Sequence, residues 1–560
     1  MKRIIALAIL LCLTATAHAA TYYYSRDGNG AATGADYANR GAYKDANELL
    51  CNSVAAGDSV YLCGNWVNTT AIAKTLVVGK SGTAANVITI RGDYEDDPGI
   101  LYNFRGPYGG TWSGPDGNGY HLYSKEYSGL VACYLGDANL EHILPLATLS
   151  REDPNILMLD TDANGFAFGD TGTFVKLSDG ADPNNGLRVY PSGAGYRFGI
   201  ANQSYITFKE LTFWGFPLDT TSTPGYANAT HITWDTCTAR YASGGNSYLI
   251  YGGFGNDDWT FVDCEFSHAP GAVGGVGSIA WLDDPNIVNT APSRWTIRGG
   301  HFHHFGWQAG WAYYDADAHA IGNSNASNWT VDGVEIDHCC SAVEFFQNWN
   351  NPSGDNTFVN NFIHDTEPNH AITNAGGITV YKGSATIRNN IFLNIGGSAV
   401  SAAVSEQVIV ENNTIYNANL FPDYWGARGA IFIRNGVVRN NIVKGCKYFV
   451  YRDSNSVALT VNWNYFVGDP TTADFYALGT GTRTAEEWQG LGYDAHSTFT
   501  ETDPGWAVAD PNTREGFRVN NLSPVWKSGT MMSGLDPNGV RMNRTAGAYG
   551  YIPERFGVKQ

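Results

Sequence analysis

The chain is poor in charge, and poorest in basic charge. Only 16% of its 560 residues are charged, and 34 Lys and Arg against 53 Asp and Glu leave a net charge of −19 at pH 7. Nothing in that balance offsets phosphate repulsion, so neither nucleic acid nor an anionic membrane is an expected partner. A uniformly anionic polymer would likewise need a cation or a local basic groove. After residue 20 no apolar run approaches the roughly eighteen residues of a membrane span. Cys-x-x-Cys and Cys/His zinc spacings are also missing.

What is present begins with a leader. Lys2 and Arg3, the apolar run from Ile4 to Leu13, and Ala17-His18-Ala19-Ala20 follow the order of a secretory signal. Leu11 before Cys12 does not suit a lipidated cysteine, so the expectation is soluble export, secreted or periplasmic, with a mature chain from near Thr21. Export permits disulfides, and Cys51 with Cys63, flanking one short strand-turn unit, is the first candidate pair. The adjacent Cys339 and Cys340 read as packing residues. With 13% aromatic residues and 66 glycines, the composition suits a turn-rich β protein with surfaces for stacking sugars.

A repeat dominates the C-terminal two thirds. Ten segments share a strand, a two-residue turn and a second short strand, among them NTFVNNFIH (356–364), ATIRNNIFL (385–393), VIVENNTIY (408–416) and GVVRNNIVK (436–444). Their second turn residues fall at 211, 237, 264, 300, 334, 361, 390, 413, 441 and 464, with spacings from 23 to 36. A floor near 23 with upward excursions describes a coil with a fixed core and variable loops. Alternation sends Ile387 and Ile391 inward and leaves Arg388 and Asn389 outward. Asn390, Asn413 and Asn441 recur where one strand bends into the next. Because Asn tolerates the left-handed conformation and hydrogen-bonds stacked equivalents, these residues read as a structural turn ladder.

A third strand closes many coils: SIAWLDD (278–284), HAIGNS (319–324), SAVEFFQ (341–347), GGITVYK (376–382), SAVSAAV (398–404) and GAIFIR (429–434). Superposition places Ile279, Ile321, Val343, Ile378, Val400 and Ile431 inward. The outward column is then Ala280, Gly322, Glu344, Thr379, Ser401 and Phe432, in which Glu344 alone is ionisable. The expected organisation is a signal peptide (1–20), an N-terminal cap and first coils (21–105), an inserted small β module (106–197), the parallel β-helix (198–470) and a C-terminal segment packed on it (471–560). The rungs, the opening YYYSRDG with GDSVYL and the closing FRVNNLSPVW with AGAYGY resemble the pectate-lyase-like superfamily of secreted right-handed parallel β-helix proteins. The resemblance implies an all-β solenoid. Its members include polysaccharide lyases, glycoside hydrolases, epimerases and non-enzymatic surface proteins, so it leaves the activity open.

Candidate chemistry concentrates in long connections after the second strand: 268–277, 305–318, 365–375 and 419–428. Following the same strand in different coils, they would form one rim. Trp307, Trp311, Tyr314, His370, Tyr424, Trp425 and Arg428 there, with Tyr381 and Arg434 at strand ends, are candidate sugar-binding residues. Asp315, Asp317 and His319 lead into the strand whose neighbour in the next coil carries Glu344. Stacked strands about 4.8 Å apart would set Asp317 and Glu344 near the roughly 5–5.5 Å of a retaining glycosidase. Glu344, beside Phe345 and Phe346, would be the general acid and Asp315 or Asp317 the nucleophile, with His319 orienting an aspartate or acting as a base. No cofactor is needed for that reading. Elimination from a uronate is the alternative, with Lys382 as base and Ca²⁺ held by Asp283, Asp284, Asp315, Asp317 and Glu344. Some β-helix pectate lyases pair a lysine base with an aspartate calcium cluster in a similar way. A non-catalytic glycan-binding protein is the third possibility. Each has a polysaccharide or oligosaccharide as partner, and a monomer is expected.

Overall fold

The computed structural model describes residues 19–525 and Gly547 apart from 68–73, most of 103–195, 216–227, 241–246, 253–254, 270–272, 279–291, 306–318, 325–326, 347–353, 367–375, 382, 403–406, 421–428, 453–457, 473, 478–480 and 520–522. Short β-branched and aromatic strands, each too narrow to bury an apolar face alone, stack on their equivalents in the next coil. The result is three long sheets, of thirteen, thirteen and ten strands among the described residues. Within a coil the chain runs from first sheet to second to third, as in Ser384–Arg388, Ile391–Ile395 and Val400–Ala402. The coils begin at Thr21–Tyr24, which pairs in parallel with Ser59–Leu62.

Strands within 121–191 pair among themselves, largely antiparallel. The helix continues past them, because Ile88–Arg91 pairs directly with Ser204–Lys209. It also continues past 470: Phe475–Ala477 and Thr498–Thr500 add to the third and second sheets.

Inward side chains stack by type. Trp259, Trp295 and Trp329 are fully buried, their rings 4.9 and 4.4 Å apart and nearly parallel. Each indole N–H donates to a carbonyl, of Ala229, Asn256 and Pro292, so the buried polar end is satisfied.

At the turn between the first two sheets the two asparagines divide the work. The first adopts the left-handed conformation, with φ of 58° at Asn389, 59° at Asn412 and 57° at Asn440. The second turns inward. The Nδ2 of Asn361, Asn390, Asn413 and Asn441 donates to the Oδ1 of the next, at 2.9–3.1 Å, and also to a carbonyl of the preceding coil. The left-handed backbone expected at Asn390, Asn413 and Asn441 therefore belongs to their predecessors. In earlier coils Cys237 and Cys264 fill the inward position, their thiols 3.3 and 3.4 Å from carbonyls of the coil before. The anticipated Cys51–Cys63 bridge does not form, both being free thiols.

Candidate active site

The third sheet holds the register anticipated for Ile321, Val343, Ile378, Val400 and Ile431, with Gly322, Glu344, Thr379, Ser401 and Phe432 aligned one residue later. It differs at its start. Val276 and Gly277, not Ile279 and Ala280, pair with Ile321 and Gly322. The strand is Val273–Ser278, so the segment 268–277 is no long insert. The glycine-rich strand shows no alternation of its own and takes its pairing from its neighbours.

Glu344 is 8% exposed and is the only carboxylate of this column among the described residues. His319, from the preceding coil, is equally buried, and its Nδ1 lies 3.7 Å from Glu344 Oε2. Burial lowers the His319 pKa to about 4, so this imidazole is neutral near pH 7. Phe345 does not lie against Glu344: it faces inward onto Trp329 and Phe358. The coil bearing Glu344 has the tightest corner. A single residue, Cys340, joins Glu335–Cys339 to Ser341–Phe346, whereas 306–318 and 367–375 intervene in the coils before and after. Glu344 thus lies on the coil with the shortest connection between second and third sheets among the described residues.

Further along the same column come Phe432, Tyr451 and Tyr476. Phe432 meets Tyr451 edge-on at 5.2 Å, and Tyr451 stacks on Tyr476 at 4.1 Å. Two strands separate Glu344 from this aromatic run, those of Thr379 and Ser401. Tyr381 follows the Gly376–Val380 strand, with its N–H donating to the Phe345 carbonyl, and Arg434 follows Ile431–Ile433. Asp283, Asp284, Trp307, Trp311, Tyr314, Asp315, Asp317, His370, Lys382, Tyr424, Trp425 and Arg428 lie outside the described residues or side chains.

A second group of ionisable residues had no counterpart in the sequence reading. On the outward face of the second sheet His301, Glu335 and Phe362 fall in one column, and His303, Asp337 and His364 in another. His304, His338 and Asp365 follow, each with φ between 47° and 61°. The Asp337 carboxylate is held by His301 Nε2 and His338 Nδ1 and lies 3.8 Å from His364 Nε2. Against the cost of burial, these imidazoles hold its pKa far below the ordinary carboxylate range. His364 is the converse case. Burial alone would lower it, but hydrogen bonds to Asp365 and Glu335 and the Asp337 charge raise it to about 9. Two sets of donors, His301 with Glu335 and Asp337, and His304 with Asp337 and His338, each bring their ligand atoms within 4.8 Å of one another. The signal lay in HFHHF (301–305) over EIDHC (335–339) and FIHDT (362–366), visible once the coils are stacked.

The architecture is that of a right-handed parallel β-helix. The family described as the right handed beta helix region matches residues 286–466. Among solved structures, XylC in complex with xylose is similar over 95% of this chain and 98% of its own, at 10% identity and a TM-score of 0.53. A glycoside hydrolase is similar at 11% identity over 90% and 99% of the two chains, TM-score 0.45, and pectate lyase Pel9A at 13% over 95% and 96%, TM-score 0.42. No curated protein matches the sequence. At 10% identity the likeness to XylC shows the fold alone.

Proposed function

We propose that the protein is an exported carbohydrate-active enzyme that hydrolyses glycosidic bonds of a polysaccharide, with Glu344 as proton donor. The observation that carries this reading is the buried Glu344 beside a neutral His319, on the coil with the shortest connection between second and third sheets. A proton donor must be held as the neutral acid, and an uncharged imidazole beside it supplies no cation to stabilise the carboxylate. Glu344 protonates the bridging oxygen as its bond to the anomeric carbon breaks. Asp315 or Asp317, on the connection leading into the His319 strand, takes the place of the nucleophile. His319 stands beside the Glu344 carboxyl, its Nδ1 3.7 Å from Oε2. Tyr451 and Tyr476, the partly exposed aromatic residues of the Phe432 column, are the rings a pyranose would meet along the helix axis. XylC, which shares the fold, was solved with xylose.

The test is a panel of neutral and uronate polysaccharides incubated with wild type and with Glu344→Gln. Loss of the donor proton is expected to lower turnover by about 10²–10⁴-fold while leaving binding in place. Unchanged turnover in Glu344→Gln would remove this site. Unsaturated product ends that disappear with EDTA would replace hydrolysis with elimination.

A further inference from the structure

We propose that the outward face of the second sheet binds divalent transition metal ions of the zinc class, with Asp337 as the central ligand. This site uses residues on a different sheet from Glu344 and stands independently of the glycosidase reading.

The argument starts from the two oxygens of one carboxylate. Asp337 Oδ2 is contacted by His301 Nε2 and Oδ1 by His338 Nδ1. Glu335 completes the donor set on the first side and His304 on the second. Asp337 is thus common to both sets of three, as is a carboxylate that bridges two adjacent ions. Zinc bonds nitrogen and oxygen at about 2.0–2.2 Å, so any two donors on one tetrahedral ion stand about 3.4 Å apart. A spread of at most 4.8 Å closes onto an ion when the donor pairs approach by up to about 1.4 Å, within reach of side-chain rotation.

The backbone fixes these donors in advance. His301 lies opposite Glu335 and His303 opposite Asp337 in a parallel ladder, so the ligands come from two successive coils. His304 and His338 occupy equivalent left-handed bends, and their rings stack at 4.9 Å and 6°. The chain holds the two imidazoles parallel, with His338 Nδ1 on Asp337 Oδ1. An ion there ties one coil to the next.

Donor chemistry selects the metal. Calcium and magnesium take oxygen ligands, whereas two imidazoles with one carboxylate suit zinc, cobalt, nickel or copper. Asp337, with a side chain 7% exposed, is a poorly hydrated anion already surrounded by nitrogen donors. His301 and His338, at 42% and 37%, leave a path for the ion from solvent. The set differs from the calcium cluster considered above, which is all carboxylate and shares no residue with it.

The full chain, stripped with a chelator and desalted, is titrated with Co²⁺ and with Zn²⁺. Saturable uptake of one or two ions per chain, visible d–d bands with Co²⁺, and a rise in melting temperature with Zn²⁺ are expected. Asp337→Asn should lose all uptake. Should that buried substitution prevent folding, His301→Ala and His338→Ala, at half-exposed positions, carry the test. Each is expected to weaken binding at least about ten-fold or to halve the stoichiometry. Absence of saturable uptake, or uptake unchanged in His301→Ala and His338→Ala, overturns the proposal and leaves a histidine–carboxylate hydrogen-bond cluster. Since none of these readouts uses turnover, failure of the metal site and failure of Glu344 as proton donor are separable.

Discussion

Asp494 shows how much one side chain can settle. It is fully buried and ends the asparagine ladder, accepting from Asn464 Nδ2 at 3.1 Å, from Trp488 Nε1 at 2.8 Å and from Ser497 Oγ. Burial outweighs those three donors and raises its pKa to about 6. In the unfolded chain an aspartate ionises near about 3.9, so between pH 4 and 6 the native state binds the extra proton. Stability from this group is therefore complete below about pH 4 and is lost as pH rises through 6, by about 3 kcal/mol in all. Asp337 and Glu265, whose pKa values are lowered, act in the opposite direction at lower pH. The informative quantity is thus a difference. Urea unfolding of Asp494→Asn and wild type at pH 4.5, 5.5 and 7 should show the variant gaining on wild type as pH rises. Parallel curves would mean that Asp494 is not the group that titrates. The residue scale is also where sequence reading reached least far. Glu344 could be singled out because a column of inert neighbours, Gly322, Thr379 and Ser401, made it conspicuous. The histidines of 301–304 gave no such contrast, since a ligand set drawn from two coils has no fixed spacing within the chain.

Among the elements, the turn between the first and second sheets is the best test of what holds a coil. Asn390 is fully buried; it donates to Phe358 O and Asn413 Oδ1 and accepts from both the N–H and the Nδ2 of Asn361. Alanine there removes partners from donors and acceptors on the two neighbouring coils, each costing about 1–3 kcal/mol when left buried without a partner. Its neighbour Asn389, at φ 58°, carries mainly the backbone preference, and alanine at that bend costs about 1–2 kcal/mol. Asn390→Ala is therefore expected to lower the urea midpoint clearly more than Asn389→Ala. The reverse order would return the structural role to the left-handed residue. The repeat announced this turn because its geometry permits few residue types. The left-handed bend inside the second-sheet strands went unread. Asn394 and Asn417 fill it, with Asn417 Nδ2 donating to Asn394 Oδ1 and Asn394 Nδ2 to Asp365 Oδ1, but His304, His338 and Asp365 occupy it in other coils, and so mixed a column has no sequence signature. Likewise Val273–Ser278 carries too much glycine to alternate, which moved the expected strand to Ile279.

At the scale of the molecule, charge and shape act together. A solenoid spreads a net −19 along its length, and a polymer lying on one face meets much of that field at once. Arg434 and Arg452 lie near the aromatic end of the third sheet, but Glu344 shares its column with no cation among the described residues. An anionic polymer therefore pays a repulsive cost on approach that salt relieves, because the Debye length falls from about 30 Å at 0.01 M to about 8 Å at 0.15 M. A neutral polymer pays none. Measured across that range, kcat/KM on a neutral polysaccharide should stay nearly constant, while any activity on a uronate polymer should rise with salt. A fall in uronate activity with salt would point instead to attraction by a local basic groove, and with it to the elimination chemistry assigned to Lys382. The choice between hydrolysis and elimination thus extends beyond the side chains at Glu344, since the field along the whole helix favours the substrate that carries no charge.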